Sequence, residues 1–158
     1  MGIYERKRRE KEFRRQEIIR AARKIFSNKG FNAATMEEIA LEAELSPGTL
    51  YLYFKNKEEL HTFLSIEILK LLADKIQKVV KQDISVEDKI EKFRDVFIEV
   101  YDYDSNILIN LFHLQSGETL KNLSEDVLKQ IKIYSSLAHG AIIDVVKQGI
   151  DQGIFIDE

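Results

Sequence analysis

The segment from Thr35 to Lys57, TMEEIALEAELSPGTLYLYFKNK, carries closely spaced helix start signals. Thr35 and Glu38 form a Thr-x-x-Glu capping box, in which each side chain accepts a hydrogen bond from the other residue's backbone N–H. Ser46 is a favoured N-cap residue, and Pro47 stands at the first helical position, where its missing N–H costs nothing. The segment therefore predicts two short helices joined by a tight turn.

A third helix start lies at Asn56, because Asn56 and Glu59 repeat the capping-box spacing. Two helices that cross at a tight turn, with small and hydroxylated residues opening the second, meet the requirements of a DNA-reading helix-turn-helix. The second helix has no Arg, Asn or Gln between Pro47 and Tyr53 for a bidentate base contact. We therefore expect specificity from Thr and Tyr contacts, thymine methyl groups and DNA shape.

The charges of the chain are unevenly distributed. Residues 1–32 contain eleven Lys and Arg and four Glu, a local balance of +7, and the whole chain carries −3, so the remainder carries −10. A basic end on an acidic body is typical of a polyanion-binding end. The basic arm from Arg6 to Arg15 has two interpretations. It could contact the DNA backbone or minor groove, or it could be a solvated start of the first helix with interleaved Glu partners.

Composition narrows the classes of protein to which the chain can belong. With 158 residues and 44 % hydrophobic residues, the chain can form one domain or two small helical ones. It has no cysteine, which excludes disulfides and cysteine nucleophiles. No apolar run reaches the length of a membrane span and no signal peptide is visible, so we expect a cytoplasmic protein without a membrane partner.

Three segments, in order and spacing, resemble the DNA-binding domain of the TetR family of bacterial transcriptional regulators. They are Ile18–Gly30 followed by Phe31, Thr35–Ala43, and Ser46–Leu60. The resemblance implies an all-α fold, in which an N-terminal three-helix helix-turn-helix head is joined by a fourth helix to a helical ligand-binding and dimerisation domain. The predicted domains are residues 1–56, with the basic arm, and residues 57–158.

The resemblance also implies the DNA-contacting residues. They are Thr35, Ser46, Pro47, Gly48, Thr49, Tyr51, Tyr53 and Lys57. Gly48 and Thr49 would lie closest to the bases, whereas Thr35 and Lys57 would mainly hold phosphates, as would the two tyrosines. The alternative is an ordinary helical hairpin that does not contact DNA.

In the second domain, the resemblance implies a pocket for a small effector. Its candidate lining is Phe93, Phe97, Tyr101, Leu108, Phe112, His113, Tyr134 and Leu137. Aromatic residues at helical spacing are more often plain core than pocket lining. An acyl chain, a drug-like aromatic and a flavonoid all remain open as effectors. We predict no other cofactor, no metal site and no catalytic constellation, because the histidines lack ligand spacing and no nucleophile has a plausible base.

Family members usually continue beyond a Gly-x-x-x-Gly-x-Phe stretch, seen here as Gly149, Gly153 and Phe155, into two further helices of the dimer interface. Here the sequence stops at Glu158. The alternatives are a C-terminally truncated fragment or a different mode of dimerisation. The sequence predicts a homodimeric repressor released from a near-palindromic operator by a small molecule. The alternatives from other classes are a helical ligand-binding or scaffold protein that does not bind an operator and, with less support, an enzyme.

Overall fold

The computed structural model describes residues 2–113 and 124–155, including all their side chains except those of residues 109–113. Every regular element in these ranges is a helix, which confirms the all-α prediction. The helices are α1 (Ile3–Ala33), α2 (Met36–Glu42), α3 (Pro47–Tyr51), α4 (Lys57–Val80), α5 (Val86–His113) and α6 (Glu125–Asp151).

The chain divides into two compact units, Met1–Leu64 and Ser65–Glu158. The division lies within α4, seven residues after its first residue. The domain boundary predicted after residue 56 coincides instead with the start of α4. We call the first unit the head and the second unit the body.

The head is built around one apolar core. Its buried side chains include Ile18, Ala22, Phe26, Met36, Ile39, Leu50, Phe54 and Leu60. They recur at spacings of three and four along α1 and α2, as expected for helices that bury one face. Phe13 lies outside this core, and its side chain is 63 % exposed. It stands five residues before Ile18, about 140° away around the helix, so it is not on the face that α1 buries.

The predicted helix caps in the head are present, one of them with a different partner. The Thr35 hydroxyl accepts a hydrogen bond from the Glu38 N–H, and the Glu38 carboxylate accepts one from the Thr35 N–H, both at 3.2 Å. At the start of α4, the Asn56 side chain accepts from the Glu59 N–H at 2.7 Å. The Glu59 carboxylate accepts from the Lys55 N–H rather than from the Asn56 N–H. The reciprocal hydrogen bond of this capping box therefore comes from the residue before the N-cap.

Two positive backbone φ angles define how the three head helices are connected. Gly30 has φ 78° and ψ 164°, a combination that side chains disfavour, and it breaks α1 before its last residues. Glu44, between α2 and α3, has φ 56° although it is not a glycine. A left-handed residue costs about 1 kcal/mol outside glycine. The turn is closed by backbone hydrogen bonds, in which the Glu44 N–H donates to the Leu41 carbonyl at 3.1 Å and the Leu45 N–H donates to the Ala40 carbonyl at 2.9 Å.

The fourth helix that the resemblance implies is present as α4, which carries a regular apolar stripe into the body. The buried members of that stripe in the body are Ile68, Leu72, Ile76 and Val79. Helix α5 is interrupted at Asp104, which has φ −158° and ψ 82°. The Asp104 carboxylate accepts from the Ile107 N–H at 3.1 Å and thereby caps the segment that follows.

The Gly-x-x-x-Gly-x-Phe stretch has a structural role at the end of α6. The Phe155 ring lies directly over Gly149, such that a Cβ at Gly149 would be 2.2 Å from two ring carbons and 3.1 Å from Val86. Gly153 has φ 71° and turns the chain back. Both glycines are thus required by the way Phe155 folds over the helix end.

Candidate nucleic-acid interface

The N-terminus of α3 is fixed by one hydroxyl pair. The Ser46 side chain accepts from the Thr49 N–H at 3.1 Å, and the two hydroxyl oxygens lie 2.8 Å apart. Ser46 and Pro47 are exposed, and Thr49 is half-buried. The two hydroxyls share one hydrogen between them, so one hydrogen and the remaining lone pairs can still bind an external partner.

Helix α3 packs on the head through Leu50, which is fully buried, and the chain beyond it through Phe54. A helix advances by about 100° per residue, so Gly48 and Leu52 lie opposite Leu50 on the outward face. Leu52 is 82 % exposed. It continues the helical conformation at the C-cap of α3, with φ −73° and ψ −19°. Sequence reasoning missed Leu52, although its position four residues after Gly48 could have revealed it.

Gly48 has no structural reason to be glycine within the head. A Cβ placed there would meet only the Ser46 hydroxyl, at 4.0 Å. The absent side chain therefore leaves space on the outward face rather than making room for the protein's own packing. Such space permits close approach of a partner's surface.

The flanks of this face carry aromatic hydroxyls. Tyr51 is 46 % exposed and Tyr53 is half-buried. Together, the eight predicted DNA-contacting residues occupy three places: the N-terminus of α2, helix α3 with the turn after it, and the start of α4.

Thr35, at the N-terminus of α2, already uses part of its hydrogen-bonding capacity. Its N–H is bound to the Glu38 carboxylate, and its hydroxyl oxygen accepts from the Glu38 N–H. The Lys29 ammonium donates to the same carboxylate, and this hydrogen bond lowers the pKa of Glu38. Only the Thr35 hydroxyl hydrogen remains to donate to a phosphate.

Lys57 is held inside the head. Its ammonium donates to the backbone carbonyls of Phe31, Asn32 and Ala34 at 2.8, 3.3 and 3.0 Å, and it lies 4.6 Å from the centroid of the Phe31 ring. All three ammonium hydrogens thus have protein acceptors. This arrangement gives Lys57 the structural role of tying α4 to the segment after α1, and it does not favour the predicted phosphate contact.

Two further sets of contacts involve rings of the head. The Arg15 guanidinium stacks over the rings of Phe54 and Phe63, at 5.2 and 4.4 Å from their centroids. About three turns further along α1, the His61 ring packs against Phe26 and Phe31, with centroid distances of 5.4 and 4.6 Å. Burial in this aromatic cluster lowers the pKa of His61, and the Lys57 charge lowers it further, while Glu58 opposes the shift.

The predicted effector-pocket residues are scattered in the body. Phe93 and Leu108 are buried, and Phe97 and Tyr134 are half-buried. The side chains of Phe112 and His113 lie outside the described residues.

The two remaining pocket candidates lie on the surface. Tyr101 is 50 % exposed and Leu137 is 44 % exposed, because each stands one helical step from a buried neighbour, Val100 and Ala138. The Leu137 carbonyl accepts from the Gln77 side chain at 3.0 Å. This surface position does not support a pocket lining for Tyr101 or Leu137.

A comparison with known protein families identifies the kind of domain that the head forms. The model of bacterial regulatory proteins of the tetR family matches residues 18–61, which span the end of α1, all of α2 and α3, and the start of α4. Residues 18–61 therefore form a DNA-binding domain of the TetR family. The family model and the relatives identify the chain as a DNA-binding transcriptional regulator. Helix α3 is the second helix of its helix-turn-helix.

Individual relatives extend this similarity into the body. The chain is 24 % identical over 139 residues to the fatty acid metabolism regulator protein of Bacillus subtilis strain 168. This match covers 87 % of this chain and 71 % of the relative. It is 34 % identical over 106 residues to the regulator UidR of Escherichia coli K12, covering 66 % of this chain and 45 % of UidR.

A solved structure shows the same fold. The crystal structure of the transcriptional regulator FadR from Bacillus subtilis, in complex with stearoyl-CoA, superposes with a TM-score of 0.67 at 22 % identity. The match covers 90 % of this chain and 74 % of FadR.

The TetR family and these relatives are regulators rather than enzymes. Within residues 2–113 and 124–155, no group of three His, Cys, Asp or Glu side chains could hold a metal ion. Among the same residues, no helix has the length and apolar character needed to cross a membrane.

Proposed function

We propose that this TetR-family protein is a cytoplasmic repressor that binds a near-palindromic operator as a homodimer. A long-chain acyl-CoA ester would release it from that operator. The outward face of α3 carries the DNA-reading part of this proposal, because Gly48 and Leu52 are exposed there while Leu50 anchors the helix from behind. Two such heads would read two half-sites about one helical turn apart, or a multiple of it.

The proposed reading of DNA follows from the chemistry of the outward face. Gly48 would allow the backbone to approach the base edges, and Thr49 would contact bases through its hydroxyl and methyl groups. Leu52 would contact thymine methyl groups. Tyr51 and the Thr35 hydroxyl would bind phosphates and fix the register of the head on the duplex.

The effector class rests on relatives rather than on a described cavity. The Bacillus subtilis relative is a fatty acid metabolism regulator, and FadR was crystallised with stearoyl-CoA. The buried, aromatic character of Phe93 and its neighbours in α4 and α5 is compatible with an apolar chain. Release requires that the ester bind better to the head arrangement that does not fit both half-sites.

Selection from a pool of randomised duplexes tests the DNA-binding part and identifies the operator in the same experiment. We expect enrichment of a near-palindromic site, which fluorescence anisotropy should show to bind tightly and with steep salt dependence. Enrichment of no sequence, with equally weak binding to all duplexes, would favour the alternative of a scaffold protein that does not bind an operator. Sedimentation of the complex should give two chains per duplex.

The effector part has its own test on the selected duplex. Stearoyl-CoA should release the protein at micromolar concentrations, whereas free coenzyme A and a detergent of equal chain length should not. Release by none of the acyl-CoA chain lengths from eight to eighteen carbons would contradict this effector class and leave the DNA-binding part intact.

A further inference from the structure

The geometry points to an interface between two copies of this chain on one side of α6, and this inference rests on the homodimer of the proposed function. In this interface the α6 helices of the two copies lie antiparallel and cross at Gly140. The surface that each copy contributes is called the α6 face. Its central residues are Ile133, Ser136, Gly140, Ile143 and Lys147.

The α6 face is a second apolar side of its helix. Its central residues follow one another at spacings of three and four, so they share one side of α6. Ile133 and Ile143 are exposed there, and Gly140 is half-buried. The residues that α6 buries within the body lie on the other side, at Ala138, Ala141, Val145 and Gly149. A surface helix ordinarily has one apolar side, so isoleucines on a second side point to a further partner.

Gly140, at the centre of the α6 face, is not explained by the fold of the body. It lies in the interior of a helix, where glycine is about 1 kcal/mol less favourable than alanine. A Cβ at Gly140 would meet no atom of the protein within 4 Å, whereas a Cβ at Gly149 would overlap the Phe155 ring. The missing side chain therefore leaves space on the surface, and such space permits the close approach of a second helix.

Charge complementarity indicates that the second helix comes from another copy of this chain. Lys129 and Asp151 are exposed, and each lies eleven residues from Gly140, because 140 − 129 and 151 − 140 are both 11. Eleven residues make about three turns, so both side chains lie on the same side of α6 as Gly140. A two-fold axis at Gly140 would place Lys129 beside the partner's Asp151, and the reverse pair would form by symmetry. Parallel helices would instead bring equal charges together.

The other polar residues of the α6 face fit the same two-fold arrangement. Ser136 and Asp144 each lie four residues from Gly140, so the hydroxyl could donate to the carboxylate of the partner's Asp144. Ile133 and Lys147 each lie seven residues from Gly140, so the apolar stem of the lysine would cover the partner's Ile133. The two acidic residues in the first turn of α6 would lie beyond the end of the partner's helix.

Gly140→Gln separates pairing from folding. Glutamine favours the helix over glycine, so the thermal midpoint measured at a concentration where the chain is monomeric should rise. The new side chain would occupy the crossing point, so the dissociation constant of the dimer should increase about tenfold to a hundredfold. Sedimentation equilibrium of the free protein, over a range of chain concentrations, measures this constant.

A charge exchange tests the antiparallel orientation. Lys129→Glu and Asp151→Lys should each weaken the dimer about tenfold at low salt, because each places equal charges together twice. The chain that carries both substitutions should regain the dissociation constant of the unmodified chain, because each pair is again of opposite charge. Lys92→Glu is the matched control, since it makes the same charge change at an exposed position of α5 that also follows an acidic residue by four, and it should leave the dimer unchanged.

The inference and the proposed function can fail separately. An unmodified chain that stays monomeric at every concentration would overturn the inference, as would a dimer that Gly140→Gln does not weaken. A double variant that pairs no better than Lys129→Glu alone would also overturn it. If Gly140→Gln still places two chains on a selected operator with unchanged affinity, the inference fails and the proposed function stands. If the chain pairs through the α6 face but selects no operator, the proposed function fails and the inference stands.

Discussion

The head and the body use the same kind of helix but differ in what their sequences specify. In the head, most predicted polar signals have a short-range partner, as in the bonds from Thr35 to Glu38 and from Ser46 to Thr49. In the body, the pocket candidates were identified only by apolar character and spacing, and the structure distributes them between core and surface. Local hydrogen bonds therefore identify a site from sequence better than hydrophobic periodicity does.

The largest expected effect separates the two sides of α3. Leu50→Ala should lower the free energy of unfolding by about 2–5 kcal/mol, because a fully buried side chain is removed. Leu52→Ala, two residues away and 82 % exposed, should change it by less than about 0.5 kcal/mol. Chemical denaturation of both variants provides the measurement. Equal losses would show that α3 does not have one inner and one outer face.

In the body, Gly149→Ala should cost about 1–3 kcal/mol, because the new methyl group would overlap the Phe155 ring. Adding Phe155→Ala should recover part of that loss, since the ring is then absent. Thermal unfolding of the single and double variants measures this coupling. A fully additive pair would contradict the contact between the glycine and the ring.

Lys57→Gln should lower stability by about 1.5 kcal/mol, because the three backbone carbonyls lose a charged donor. The comparison is with Tyr51→Phe, which removes only an exposed hydroxyl. Tyr51→Phe should leave stability unchanged and weaken binding equally on all duplexes, as expected for a phosphate contact. If Lys57→Gln unfolds like the unmodified chain yet binds DNA poorly, the phosphate-contact prediction would be preferred to the structural role.

Gly48→Ala offers a matched contrast to Gly149→Ala. The added methyl group meets nothing of the protein closer than 4.0 Å, so stability should be unchanged or slightly raised. Operator affinity should fall about tenfold, or 1.4 kcal/mol, because the outward face can no longer approach the bases closely. Unfolding and anisotropy on one preparation compare the two quantities. Unaltered operator affinity would remove Gly48 from the interface.

The smallest expected effect concerns pH and the aromatic cluster. Burial lowers the pKa of His61 in the folded state, so unfolding takes up a proton as the pH falls below about 6.5. Stability should be fully present above that pH and should decrease on acidification, by at most about 1.4 kcal/mol per pH unit. His61→Phe should remove this contribution between pH 7.5 and 5.5. An identical pH dependence in both proteins would contradict it.

Sequence reasoning succeeded where one residue and its near neighbours decide the structure. The start of α4 and the caps of α2 and α3 are of this kind. It failed where the decisive partner is distant in the chain. The donation from Lys57 to Phe31 spans 26 residues, and no spacing rule could reveal it.

The helical start of α1 was one of the two interpretations of the basic arm. Its first turns carry charges instead of an apolar stripe, so hydrophobic periodicity does not indicate a helix there. The spacing of four between Arg6 and Glu10 was the signal for that interpretation, and α1 begins at Ile3 with these two side chains paired.

The measurement that tests the central claim most directly is the ratio of affinities for a selected operator and a scrambled duplex, compared between the unmodified chain and Gly48→Ala. If the outward face of α3 reads the bases, the ratio should be large in the unmodified chain and should fall about tenfold in the variant, with the free energy of unfolding unchanged. A ratio near one in the unmodified chain, or an equal ratio in both proteins, would contradict the assignment of sequence reading to this face.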